Sequence, residues 1–161
     1  MGFLIQLLGD RLSDVITGVN ATSLAPDELL STVRVPALPS TAGFALREFR
    51  RGFAGPPLIA VAALLDLDAA GQIRQARLGV AGADDTPLRL ADGEALLAGT
   101  TPTDDLFGAV AQRAAARVRR GDAVHADVAT RRHITRALLA QALRESYQHA
   151  LTQRNHEEAD S

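Results

Sequence analysis

Apolar residues come in short strand-like runs through the first two thirds of the chain and take up a helical period in the last third. Phe3 to Leu8 is a short apolar run closed by the turn signal Gly9-Asp10. Ala25-Pro26-Asp27-Glu28 reads as a turn or a single helical turn, with proline near its start. Leu30 to Val35 follows as a strand with Val33 and Val35 on one face, ended by Pro36 and Pro39. Phe44 to Arg51 is a second strand, and the period of two puts Phe44, Leu46, Glu48 and Arg50 on one face. Leu58 to Asp68 is almost unbroken apolar sequence, the pattern of a strand covered on both sides. Asp68-Ala69-Ala70-Gly71 predicts a hairpin turn and Gln72 to Val80 the returning strand, where Gly79 and Gly82 signal a bulge or a close backbone approach.

Pro87 leads into a short helix over Ala91 to Ala98, stopped by Gly99. Thr103-Asp104-Asp105 is a helix start, and Leu106 to Val118 has apolar residues at helical spacing before Gly121 breaks the pattern. The last helix is expected from about Thr130 to about Leu151, with Ile134, Leu138, Leu139, Ala142, Leu143, Tyr147 and Leu151 forming a wide apolar face. The polar tail from Thr152 is expected to be frayed. Strands followed by helices in one small chain predict an α+β fold: an antiparallel sheet of three to four strands packed on one face by about three helices.

Composition narrows the chemistry. The chain has 161 residues, 47% hydrophobic and 22% charged, which predicts one ordinary globular domain. Its longest apolar run, Leu58 to Leu65, is far too short to span a bilayer, and Met1 to Leu8 lacks the basic start of a signal peptide, so a cytoplasmic address is expected. Absence of cysteine excludes disulfides, thiolate metal sites and cysteine nucleophiles. All 17 basic residues are arginine, which removes lysine Schiff bases and the P-loop. A net charge of −2 with 4% aromatics argues against a nucleic-acid surface.

A few side chains are candidates for chemistry. Arg131-Arg132-His133 falls in the first turn of a helix, where positive charge opposes the helix dipole; Asp122, Asp127 or a bound anion would compensate. The plainer reading is an ion-pair cluster that fixes the preceding loop to the helix. His125, in that loop, has the pKa range of a proton shuttle but no further ligands at metal-site spacing. Glu48 would be a general acid or base if its face were a pocket, and an exposed strand-end charge otherwise. Asp66 is expected to face solvent near Asp68, which opens the turn.

Four segments together resemble the C-terminal domain of the FAD-carrying medium subunit of molybdenum hydroxylases, the carbon monoxide dehydrogenase and xanthine dehydrogenase types. They are SLAPDELLSTVRVP (23–36), ALREFRR (45–51), LIAVAALLDLDAAGQIRQARLGVAG (58–82) and DAVHADVATRRHITRALLAQAL (122–143). In the family these look like the joining segment, the first strand with its basic end, the central hairpin, and the last helix with its entry loop. Two features depart from the pattern. Gly52 to Pro57 lacks the acid that relatives usually carry between the basic strand end and the apolar strand. The flavin domain with its glycine-rich pyrophosphate loops should precede this region, and only Phe3 to Asn20 resembles its end.

The resemblance implies residues 1–22 as a flavin-domain remnant, 23–151 as the C-terminal-type α+β domain and 152–161 as a disordered tail. It implies a flavin-free interaction or accessory module of an oxidoreductase complex, holding no cofactor and no metal, as a homo-oligomer or docked on larger oxidoreductase subunits. The alternative is a cofactor-independent enzyme of cyclase, isomerase or dehydratase type. It would take an apolar small molecule, with Glu48, Arg50, His125 and Tyr147 as its acid–base residues. A third reading is a C-terminal piece whose flavin domain is removed or separately encoded.

Overall fold

The computed structural model describes residues 4–5, 12–52, 55–122 and 126–159 and divides into two units, Met1–Leu38 and Pro39–Ser161. In the first unit β1 (Leu4–Ile5) pairs antiparallel with β4 (Val33–Arg34). The single turn α1 (Leu12–Val15) runs into β2 (Ile16–Gly18), which pairs with β3 (Ala21–Thr22). Asn20 makes the reversal between them at φ 55°, a conformation asparagine tolerates better than most residues. The strand expected over Leu30–Val35 shrinks to two residues. Val33 and Val35 are both exposed, so the run has no covered face to lengthen it.

The second unit carries the α+β fold. Strands β5 (Ala42–Phe49), β6 (Ile59–Leu67), β7 (Ile73–Ala81) and β8 (Leu88–Arg89) form an antiparallel sheet in that order. Helices α2 (Ala91–Leu97), α3 (Asp104–Ala116) and α4 (Val128–Ala159) follow. The β6–β7 turn is held by Asp68, whose Oδ1 accepts from the amides of Ala70 and Gln72, both at 2.9 Å. The Thr103 hydroxyl caps α3 by accepting from Leu106 N at 3.2 Å.

One face of the sheet is filled by helices. Ala45 on β5, Ile59, Val61, Ala63, Leu65 and Leu67 on β6, and Ile73, Ala76, Leu78 and Val80 on β7 share one buried core. Leu97, Phe107, Val110, Ala111, Leu139, Ala142 and Leu143 of the helices complete it. Glu94 of α2 is buried at the sheet's β7–β8 side. It accepts from Leu78 N at 3.0 Å and from Arg89 Nη2 at 2.7 Å, tying helix to strands.

Helix α4 is clamped at two places. Near its start, Arg131 is only 4% exposed. Its Nη1 donates to the carbonyls of Leu58 at 2.9 Å and Gly82 at 3.1 Å, and its Nη2 pairs with Asp122 at 3.1 Å. Asp127 caps the helix by accepting from Thr130 N at 2.7 Å, which holds its carboxyl below the usual range. Further along, α4 closes the free edge of β5. Ser146 Oγ donates to the Gly43 carbonyl at 2.9 Å, the Phe44 amide donates to His149 Nδ1 at 3.1 Å, and Arg47 pairs with Glu145. A Cβ on Gly43 would stand 1.9 Å from Ser146 O and 2.3 Å from Ala150 N.

The last helix, expected to end at about Leu151, runs on to Ala159, and the rest of the tail expected over 152–161 lies outside the described residues. Ala150 is fully buried and Leu151 packs against the core, so the helix is anchored where the tail begins. Thr152 Oγ1 then donates to the Gln148 carbonyl at 3.0 Å, and the following Gln, Arg, Glu and Ala are good helix formers.

Two outcomes test this framework. Gly43→Ala should cost roughly 3 kcal/mol, the upper end of overpacking, because helix backbone must move. Gly108→Ala, on a helix position with nothing within 4 Å of the added methyl, should be neutral or stabilising by up to about 1 kcal/mol. Urea titrations with unchanged m would show both. The second outcome concerns pH. Burial pushes the Glu94 carboxyl up, but the Arg89 guanidinium and the Leu78 amide outweigh it, leaving the pKa below its ordinary 4.5. The stability this contributes is present above that ordinary value and is lost as pH falls through the lower folded one. Glu94→Gln should therefore flatten the loss of stability below about pH 4.5 in acid titrations followed by circular dichroism.

Candidate functional site

Helices cover only one side of the sheet, so the alternation that buries Ala45 turns Phe44, Leu46 and Glu48 of β5 to the other side. Phe44 is 40% exposed and Leu46 49%, with Phe49 at the strand end 41% exposed. Across the ladder Phe44 faces Leu64, Leu46 faces Ala62, and Glu48 faces Ala60. On β7 the next neighbours are Arg77, Gly79 and Ala81. Phe44 thus stands beside buried Leu64, and Leu46 stands over alanine and glycine, an exposed apolar strip with Arg77 at its margin.

Each end of the strip carries an ion pair. At one end Asp66 is 3% exposed and receives Arg74 in a fork, Nε to Oδ2 at 2.9 Å and Nη2 to Oδ1 at 3.1 Å. The Thr41 hydroxyl donates to the same carboxylate at 2.6 Å. This corrects the expectation that Asp66 faces solvent. Arg74 sits at a register shift in β7 and folds over the carboxylate, with Thr41 closing the other side. At the far end Arg50 forks onto Glu48 Oε2, at 2.8 Å from Nη2 and 3.0 Å from Nε, and its Nη1 donates to the Gly55 carbonyl at 2.7 Å.

The sequence candidates separate. Glu48 and Arg50 do share the strip's end and satisfy each other's charge. Tyr147 lies on α4, on the covered side, where its ring meets Phe107 edge-on with centroids 6.3 Å apart. The structure therefore does not bring Tyr147 to Glu48 and Arg50. His125 lies outside the described residues. The Asp66–Arg74–Thr41 cluster escaped the sequence reading, because nothing local marks Asp66 as buried. Among the described residues no group of three or more His, Asp or Glu could hold a metal ion. Among the described residues no helix is long and apolar enough to cross a membrane. A flavin dinucleotide needs a glycine-rich loop opening on a helix N-terminus for its pyrophosphate. The segments before α2, α3 and α4 are Pro87-Leu88-Arg89-Leu90, Thr101-Pro102-Thr103 and Ala126-Asp127, so the described residues do not form that cradle.

The sequence model of the CO dehydrogenase flavoprotein C-terminal domain matches residues 44–146, from the apolar strip to the α4–β5 seam. The chain belongs to this family. It is 28% identical over 141 residues to the 6-hydroxypseudooxynicotine dehydrogenase complex subunit alpha of Paenarthrobacter nicotinovorans, covering 86% of this chain and 48% of that one. Among solved structures, it superposes on carbon monoxide dehydrogenase from Hydrogenophaga pseudoflava, in a form lacking the Mo-pyranopterin moiety, with a TM-score of 0.81 at 20% identity. Quinoline 2-oxidoreductase from Pseudomonas putida 86 gives 0.80 at 18%. Both matches cover 92% of this chain and 52% of the other. The flavoprotein C-terminal domain chain thus spans about half the length of the relatives it matches. It is related to a domain of molybdenum-hydroxylase flavoprotein subunits.

The one-sided sheet makes a direct prediction. Leu65→Ala, on the helix-covered face of β6, should cost about 2–5 kcal/mol. Leu46→Ala, on the open strip, should cost under about 1 kcal/mol. Chemical denaturation of the two variants reads the difference, and equal costs would mean that the strip is covered within the chain.

Proposed function

We propose that this flavoprotein C-terminal-type domain acts as an interaction or accessory module of a molybdenum-hydroxylase-type oxidoreductase complex, and that its open sheet face seats on a larger redox subunit. The observation that carries this reading is the strip of Phe44 and Leu46 over Ala60, Ala62 and Gly79, apolar in its middle and bordered by ion pairs at both ends. An apolar centre with a polar rim is the arrangement of a protein interface. The family supports the choice of partner. The Paenarthrobacter relative is by name a subunit of a dehydrogenase complex, and the Hydrogenophaga relative is a molybdenum-cofactor enzyme. The module itself would perform no redox step; its contribution is position, holding partner surfaces in register.

The reading is tested by purifying the protein from its own host and recording a native mass spectrum. The expected result is co-purification with subunits identified by peptide mass as flavin- or molybdenum-cofactor-bearing relatives of this enzyme class. Phe44→Glu together with Leu46→Glu should abolish that association while the free domain keeps its circular dichroism and unfolding midpoint. A monomer or homo-oligomer without such subunits would overturn the reading. If that species retained a metabolite-sized ligand, the reading would give way to the small-molecule enzyme with Glu48 and Arg50 as its first residues to substitute.

A further inference from the structure

Many of the arginines in this domain are paired with an acid. Arg47 meets Glu145, Arg50 meets Glu48, Arg74 meets Asp66, and Arg89 meets Glu94. Arg117 meets Asp92, Arg131 meets Asp122, and Arg144 meets Asp104. Arg132 and Arg136, in the groove between α3 and α4, form no such pair among the described residues. A cavity of about 330 Å³ there is lined by Gln112, Ala115 and Ala116 from α3 and by Arg132, His133 and Arg136 from α4. Its lining holds three basic side chains and no carboxylate. Arg132 and Arg136 stand four residues apart, where like charges repel, and His133 lies three residues from Arg136.

The neighbouring groups leave most of their donors unused. Arg132 spends its Nε on the Val118 carbonyl at 3.3 Å, at the end of α3, and its two terminal nitrogens are not engaged by it. Arg136 reaches the Gln112 Oε1 from Nη1 at 3.5 Å, the outer limit of a hydrogen bond. The other lining residues from α3, Ala115 and Ala116, have small side chains. Guanidinium forks match the oxygen spacing of phosphate and carboxylate groups. The volume is at the lower end of small-molecule sites.

We infer that the α3–α4 groove binds a small molecule through an anionic oxygen group, a phosphate or a carboxylate, gripped by Arg132 and Arg136 with His133 beside them. The inference is independent of the docking role, because the groove lies among the helices on the covered side of the sheet. Isothermal titration calorimetry of the full chain at constant ionic strength tests it, with inorganic pyrophosphate and citrate as probes and sodium chloride as control. Saturable binding of either probe is expected, and the tighter of the two assigns the group. Arg136→Gln, which touches no backbone group, should weaken binding about tenfold, the effect expected of a lost charged donor. Adding Arg132→Gln should remove it, with circular dichroism confirming the fold. Arg113→Gln, outside the groove lining, should leave affinity unchanged. No saturation with either probe, or equal affinity in Arg136→Gln, would overturn the inference.

Discussion

The seam between α4 and β5 is closed to a separation at which one methyl group does not fit. At Gly43 the helix backbone comes so near that a side chain there would occupy the same space as Ser146 O and Ala150 N. The approach brings Ser146, His149 and Glu145 within reach of the free edge of β5, which they close with hydrogen bonds and an ion pair. An open strand edge invites pairing with another chain, and here a helix blocks it. The opposite end of α4 is fixed by a different device. Arg131 reaches from the helix to the carbonyls at the start of β6 and the end of β7, while binding Asp122 in the entry loop. The tight turn at Gly82, with φ at 82° and no room for a side chain against the Leu58 carbonyl, brings those two carbonyls together.

With α4 held at both ends, the helices lie on one side of the sheet and cannot shift to shield the other. The apolar strip of Phe44 and Leu46 follows from this arrangement. Buried charge is handled in the same spirit throughout. Asp66 and Glu94 would each be costly to bury alone, and each is met by an arginine in a forked contact supported by a hydroxyl or a backbone amide. A lysine would offer a point charge at these places, whereas the planar fork fixes direction as well as charge. The exclusive use of arginine fits a domain in which cations mostly serve as struts.

The sequence made some of this legible and not the rest, for physical reasons. The β6–β7 hairpin was readable because apolar patterning, Asp68 and Gly71 all act within a few residues. The start of α3 was readable because its cap, Thr103, is local. The side of the sheet that the helices cover was not readable: a period of two marks two faces without saying which one meets a helix. Asp66 looked like a surface acid because its partner Arg74 comes from the next strand. Gly43 carried no signal at all, since the backbone it meets is 103 residues away. The length of α4 was underestimated because its polar last turns are held by Ala150 and Leu151 against the sheet, a tertiary anchor that local polarity cannot report.

The Arg131-Arg132-His133 triplet shows the same limit at the finest scale. Successive residues on a helix point about 100° apart, so three basic side chains in a row do not all face one way. Arg131 turns inward and becomes the clamp on the strand ends. Arg132 and His133 turn toward α3 and, with Arg136 a turn later, line the groove. The two readings open from sequence, a structural ion-pair cluster and a place for an anion, are therefore not rivals. The first describes Arg131, and the second is the proposal made for its neighbours. The apolar strip and the basic groove then sit on opposite sides of the sheet layer, one offering apolar area and the other charge. Because no side chain belongs to both, substitutions at Leu46 and at Arg136 address separate surfaces of one rigid frame.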